Sequence, residues 1–223
     1  MRKYYTRPCN FYYGNSAKRL IRRKKALSLT GNPNIAFDQV EIFQRKKRGT
    51  AQSKIYSIYE IKTLRKEIKS IIDFDLKKIT SKRKSICGIK FDNPEIIGVL
   101  NVTPDSFSDG GLFFDQSKAY DQTSLMISNG ATIIDIGGES TRPGSKVVNE
   151  KEEWDRIKNI VLKIKKNFPN VPLSLDTRKS YVMKKGIEYG INIINDVSGL
   201  NFDKKSFDLI KSKSIPFILH HMQ

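Results

Sequence analysis

Residues 101–111, NVTPDSFSDGG, crowd amides, hydroxyls and carboxylates into one turn-forming stretch: Asn101, Thr103, Asp105, Ser106, Ser108 and Asp109, closed by Gly110 and Gly111. Further polar groups recur along the chain at Asp135 and Glu139, Asp176, Asn195 and Asp196, and His221. Each set lies at or just past the end of a short apolar run: 96–100 (IIGVL), 132–136 (TIIDI), 171–175 (VPLSL), 191–194 (INII) and 216–219 (PFIL). Runs of this length and β-branched content read as strands covered on both faces, the kind found in parallel sheets. Donors and acceptors massed past the C-terminal ends of successive parallel strands are where an α/β barrel does its binding and catalysis.

Four helical patterns must carry the chain between these strands. The first, roughly 116–129, is closed by Gly130. The second, roughly 150–167, has Asn149 as N-cap, Glu150, Glu152 and Glu153 in its first turn, and Lys163, Lys165 and Lys166 near its end. Its Trp154, Ile157, Ile160, Val161 and Ile164 form one apolar stripe. The third, roughly 179–189, stops at Gly190, and the fourth, roughly 203–213, carries Phe207, Leu209 and Ile210. Strict alternation predicts an α/β parallel sheet with right-handed crossovers. A doubly wound sheet gathers its ligand at one switch point, whereas all five runs here end in polar groups, which favours a TIM (β/α)8-type barrel. A closed barrel has eight strands and typically about 250 residues. Five strands and four helices between residue 96 and Gln223 therefore predict a truncated barrel, from a fragment or one part of a split frame.

The 223 residues carry 41 Lys+Arg against 23 Asp+Glu, a formal charge of +18. All of the excess lies early. Residues 1–90 hold 24 basic and 6 acidic side chains, which leaves 41 − 24 = 17 and 23 − 6 = 17 for residues 91–223. The chain thus reads as a basic α+β N-terminal extension over 1–90 followed by a partial barrel over 91–223. Two cysteines, Cys9 and Cys87, make no disulfide framework and suit a reducing cytoplasm. No apolar run approaches the ~18 residues of a membrane span, and the basic N-terminus lacks the apolar core of a secretory signal. A cytoplasmic protein with no membrane partner is expected.

Within 1–90, Tyr4, Tyr5, Phe11, Tyr12 and Tyr13 accompany the basic stretch from Lys18 to Lys25, a mixture that can stack on bases and meet phosphates. The plainer reading is preferred, in which these aromatics pack on the main domain and the charges are solvated, so nucleic acid is not an expected partner. Asn32–Pro33–Asn34 reads as a turn, Ile35 to Phe43 as a strand, and Arg45–Lys46–Lys47–Arg48 as a solvated loop. Ile58, Ile61, Leu64, Ile68, Ile71 and Ile72 recur at helical spacing, with Lys62, Arg65, Lys66 and Lys69 on the other face. That pattern predicts an amphipathic helix packed on a neighbouring domain, and residues 77–90 read as a basic linker.

Five strings in order, NVTPDSFSDGG (101–111), DIGGESTRPG (135–144), LDTRK (175–179), INDVSG (194–199) and LHHMQ (219–223), resemble the motifs of the dihydropteroate synthases, a folate-pathway family, over residues 95–223. The resemblance implies condensation of 6-hydroxymethyl-7,8-dihydropterin diphosphate with p-aminobenzoate, giving 7,8-dihydropteroate and diphosphate. It implies pterin diphosphate binding by Thr141, Arg142, Asp176 and Asn195, a p-aminobenzoate pocket of Phe107, Thr141 and Pro143, and Mg2+ at Asn101 with the diphosphate. No catalytic residue is assigned. A pterin edge of N–H donors and acceptors suits a carboxylate and an amide, and Mg2+ keeps waters and needs few protein ligands. Outside these motifs Asp176 and Asn195 would read as helix N-caps at strand-to-helix turns. Asp135 either orients neighbouring groups or accepts backbone hydrogen bonds.

The implied reaction is dissociative: diphosphate leaves before the arylamine nitrogen attacks, with the two glycine-bearing loops excluding water. A homodimer is implied for the complete enzyme. The family's later motifs would follow residue 223, so this chain alone is expected to lack synthase activity. His220 stands where the family usually has an apolar residue. Two other readings stay open. One is a methyltetrahydrofolate-type pterin-binding methyltransferase barrel, which shares the Asp and Asn positions but needs no diphosphate loop. The other is a polyanion- or nucleic-acid-binding protein acting through residues 1–90.

Overall fold

A computed structural model describes residues 3–46, 49–103, 112–140, 144–145 and 147–220. The chain divides into two compact units, Met1–Ser85 with Lys90–Asp92, and Ile86–Ile89 with Asn93–Gln223.

In the first unit the order is β1 (Tyr4–Tyr13), α1 (Gly14–Arg22), β2 (Leu27–Leu29), β3 (Asn32–Gln44), β4 (Gln52–Ser57), a 3-10 turn (Glu60–Thr63) and α2 (Lys66–Thr80). The long β3 pairs antiparallel with β1, β2 and β4. Thr30 and Gly31 join β2 to β3 with positive φ at both positions (52° and 73°), as a two-residue type I′ hairpin requires. The turn expected at Asn32–Pro33–Asn34 therefore falls two residues earlier, and these residues open β3 instead. Pro33 precedes the first rung with β1 at Ile35, so its missing N–H breaks no ladder bond to β1.

The helix expected from Ile58 begins only at Lys66, because Leu64 and Arg65 are extended (ψ 152° and 141°). Ile58, Ile61 and Leu64 still join the same cluster as Ile68, Ile72, Leu76 and Ile79, together with Phe37, Val40 and Ile42. A 3-10 turn stacks every third residue on one side, so helix-like spacing survives without a helix. The first four residues of the expected basic linker, 77–80, close α2. Tyr4 and Tyr12 pack within this unit's own clusters. Tyr5, Phe11 and Tyr13 are exposed. Arg45 and Lys46 are exposed, and Lys47 and Arg48 lie outside the described residues.

The second unit alternates strictly: β5 (Ile97–Asn101), α3 (Leu112–Ser128), β6 (Ile133–Gly137), α4 (Glu150–Asn167), β7 (Leu173–Asp176), α5 (Ser180–Glu188), β8 (Ile193–Asp196), α6 (Lys205–Lys213) and β9 (Phe217–Leu219). The five strands lie in the order β5-β6-β7-β8-β9, all parallel. Every strand starts a residue or two later than the apolar runs suggested. Strands β5, β7 and β8 also run on into the polar residues, and β6 into Gly137, because the backbone ladder is indifferent to side-chain polarity. Helix α4 matches its expected span, capped by Asn149 Oδ1 accepting from the Lys151 N–H at 2.9 Å.

One sheet face buries Leu100, Ile134, Ile136, Leu173, Leu175 and Ile194 in a cluster with Trp154, Ile157, Ile160 and Ile164 of α4 and Val182 and Met183 of α5. Each such side chain contributes roughly 1.5–3 kcal/mol on leaving water. Gly98 interrupts the β5 run for a steric reason: a Cβ there would stand 2.8 Å from Met126 Sδ and 3.0 Å from Ile134 Cδ1. The other face carries the alternate residues of the same strands: Ile97, Ile133 and Ile193 with Val99, Asn101, Asp135, Gly137, Ser174, Asp176 and Asn195. Among the described residues no helix is long and apolar enough to cross a membrane.

Candidate active site

Register brings the polar strand ends together. Asn101 pairs with Gly137, Gly137 with Asp176, and Asp176 with Asn195. Partners on parallel strands point to the same face and stand about 4.8 Å apart, so the four residues form one rank across β5, β6, β7 and β8. Gly137 leaves a gap in that rank. Asn101 Oδ1 and Asp176 Oδ2 lie 3.5 and 3.6 Å from the position its Cβ would occupy.

Below the rank, Asp135 answers the question the sequence left open. Its Oδ2 accepts from Asn195 Nδ2 at 2.9 Å, so it orients the amide. Asp135 Oδ1 and the Oγ of its register neighbour Ser174 are buried without a hydrogen-bond partner among the described residues. Asn195 Oδ1 in turn lies 2.7 Å from His220 Nε2. No donor reaches the Asp176 carboxylate among the described residues. Burial, reinforced by the charges of Asp135, Glu153, Asp196 and Glu139, pushes its pKa up to about 7. The N-cap role is not what Asp176 and Asn195 do here: α5 begins at Ser180, whose N–H is met by Asp203 at 2.9 Å, and Asp196 rather than Asn195 closes the next loop. Its carboxylate accepts from the N–H groups of Ser198 and Leu200 at 2.7 and 3.0 Å.

A second polar group, with no role assigned from the sequence, supports the rim. Lys179 is buried between Glu139 and Glu153 and forms ion pairs with both. Arg178 Nη2 reaches Glu139 Oε1 at 3.1 Å, and the Thr177 hydroxyl donates to Glu153 at 2.5 Å. Glu139 also accepts from the Val148 N–H at 3.2 Å, tying the return of the loop into α4 to the strand that begins it. Burial alone would raise both glutamates. For Glu139 the hydrogen bonds from Lys179 and Arg178 outweigh it and the pKa falls, whereas Glu153, more deeply enclosed and with one cation, stays raised. A signal was present in the sequence: Glu153 falls on the helical stripe of Ile157, Ile160 and Ile164, where a charge needs a buried partner.

Phe107, Thr141, Arg142, Pro143 and His221 lie outside the described residues. Among the described residues no group of three or more His, Cys, Asp or Glu side chains is gathered as a metal cage. The Asn101 oxygen beside the Gly137 gap is a hard donor. It fits a cation that takes most of its shell from water and a bound anion, as Mg2+ does.

Known proteins resemble the second unit in sequence and in fold. A curated dihydropteroate synthase from Clostridium beijerinckii is 48% identical over 126 residues, covering 56% of this chain and 46% of the relative. The solved structure of Xanthomonas albilineans dihydropteroate synthase with 4-aminobenzoic acid aligns with a TM-score of 0.57 at 37% identity, over 60% of this chain and 49% of that one. That of the Anaplasma phagocytophilum enzyme with bound 6-hydroxymethylpterin-monophosphate aligns at 0.53 and 37%, over 58% and 49%. The second unit is therefore of the TIM-barrel-like α/β class. Residues 97–223 match the model of the pterin binding enzymes, and the chain belongs to that family. It spans about half the length of the curated relatives it matches.

Proposed function

We propose that this chain supplies the pterin-binding part of a dihydropteroate synthase of folate biosynthesis, the enzyme that joins 6-hydroxymethyl-7,8-dihydropterin diphosphate to p-aminobenzoate with release of diphosphate. The observation that carries the proposal is the rank of Asn101, Gly137, Asp176 and Asn195, with a half-buried carboxylate that no donor among the described residues answers. A flat heterocycle with an edge of N–H groups supplies those donors, and an amide beside the carboxylate takes the neighbouring positions. Departure of diphosphate leaves positive charge delocalised over the pterin and its methylene carbon. An ionised Asp176 at the ring edge, already in place and poorly solvated, stabilises that charge without reorganising. The arylamine nitrogen then attacks the methylene carbon and loses its proton.

Thr141 and Arg142 complete the pterin diphosphate site in this reading, and Phe107, Thr141 and Pro143 form the walls around the arylamine. Asn101 holds Mg2+ together with the diphosphate, and the cation supplies neutralisation of the leaving group's charge when bound. The basic residues 1–90 are assigned no role in this chemistry. The free thiols of Cys9 and Cys87 support a cytoplasmic setting.

The test is calorimetric titration of the chain with the dihydropterin diphosphate and Mg2+. Saturable binding is expected, with a loss of at least tenfold in affinity for Asp176→Ala. No binding, or equal binding by the variant, overturns the assignment.

A further inference from the structure

We propose that His220 is a positioning residue of the pterin site, which together with Asp135 fixes the orientation of the Asn195 amide; the proposal rests on the pterin reading above. Asn195 is held from both ends. Its Nδ2 lies 2.9 Å from Asp135 Oδ2, and its Oδ1 lies 2.7 Å from His220 Nε2. A carboxylate only accepts hydrogen bonds, so the nitrogen of the amide must face Asp135 and the oxygen must face the ring. An amide oxygen also only accepts, so His220 Nε2 must carry the proton and the neutral ring is the Nε2–H tautomer.

The outcome is an amide that cannot flip. One N–H is spent on Asp135, and the second is left to face a heterocycle beside Asp176, the register neighbour of Asn195. An unanchored Asn presents either an oxygen or an N–H to a ligand edge at little cost. An anchored one presents a fixed donor and rejects a ring whose edge offers a donor at that point.

The main chain holds His220 where this requires. It follows β9 directly, and the left-handed Gly199 (φ 61°) of the INDVSG loop packs against its carbonyl, where a Cβ would stand 2.9 Å from the oxygen. The loop after β8, which carries Asn195, and the end of β9, which carries His220, are thus in direct contact. The ring is not a buried packing element, because His220 is exposed.

Three forms of the full chain decide the matter: unaltered, His220→Leu with the apolar character usual at this position, and His220→Gln, whose amide N–H can still donate. Titration with the dihydropterin diphosphate should give about tenfold weaker affinity for His220→Leu, the worth of one orienting hydrogen bond. Affinity should return to within about threefold in His220→Gln. The 15N spectrum of the unliganded, unaltered chain should show the His220 ring protonated at Nε2, a signature that a mere packing role would not require. Equal affinity of the unaltered and Leu forms overturns the inference while leaving the pterin reading intact. Weak binding by both variants, or a ring protonated at Nδ1, also overturns it. Absence of binding by the unaltered chain overturns the pterin reading itself and the inference with it.

Discussion

Replacing Asp176 by Asn should make the second unit more stable while destroying its affinity for pterin, and only the stability gain should grow with pH. Burial first, then the charges of Asp135, Glu153, Asp196 and Glu139, move this carboxyl from its ordinary 3.8 to about 7. About three pK units correspond to roughly 4 kcal/mol. Because the folded-state value lies above the unfolded one, the folded chain holds the extra proton between the two. Stability therefore falls as pH rises through that window, and the cost is complete only above about pH 7. Asn carries no charge at any pH, so the difference between variant and native chain should widen from mildly acidic pH and level off near pH 8.

Two features reduce the ceiling. Lys179 and Arg178 answer part of the charge on Glu139 and Glu153, and Asp176 itself is only half-buried. Screening of that kind leaves about 2 kcal/mol at the plateau, or about 4–8 °C in melting temperature for a chain of this size. Trp154 is the readout: it is the single tryptophan of the chain, 4% exposed, in the core of the second unit only. Its fluorescence during urea or thermal unfolding reports that unit without interference from the other. A variant less stable than the native chain at pH 8, or a gain of equal size at pH 5 and pH 8, refutes the reasoning.

Asp135→Asn removes the largest charge acting on Asp176, so the Asp176 carboxyl should titrate closer to its ordinary range; a 13C-detected midpoint that does not move contradicts this. Lys179→Met strands Glu153, 0% exposed at its side chain, leaves Glu139 with Arg178 as its cation, and should cost about 3–5 kcal/mol in urea unfolding followed at Trp154. Adding Glu153→Gln to that variant should recover part of the loss. Gly138→Ala would place a Cβ 2.7 Å from the Glu153 carbonyl and 3.1 Å from Ile157 Cγ2. Because α4 must shift to admit it, a loss of about 2 kcal/mol is expected by thermal melting.

The second unit was legible because its physics is local. Apolar runs covered on both faces, an Asn149 cap with acidic residues behind it, and glycines after helices each announce an element within a few residues. The rank of Asn101, Asp176 and Asn195 followed from the same alternation, since each polar residue falls one step past its apolar run. The ion network of Glu139, Glu153, Arg178 and Lys179 was not legible, because it joins positions up to 40 apart that share no local pattern. His220 stood out only as a departure from its family, and its partner Asn195, 25 residues earlier, appears only when β8 and β9 pair.

The first unit was harder to read. Strand β1 is Tyr4–Tyr13, a stretch whose tyrosines and basic residues resemble a charged extension. Its alternation of exposed and half-buried side chains lacks the aliphatic signature that marked the second unit. Leu64 and Arg65 break the expected helix without any Gly or Pro to announce it.

Nothing in the backbone demands glycine at 137. The residue sits in a regular strand with φ outside the left-handed range, and a methyl group there would meet Asn101 and Asp176 at ordinary contact distances. On the proposed function, its bareness serves a guest rather than the fold. Alanine and valine at 137 would form graded plugs that leave every donor, acceptor and charge of the rim in place. Shape and electrostatics can be titrated independently in this one opening, so the thickness of molecule it admits becomes a measurable property of the chain.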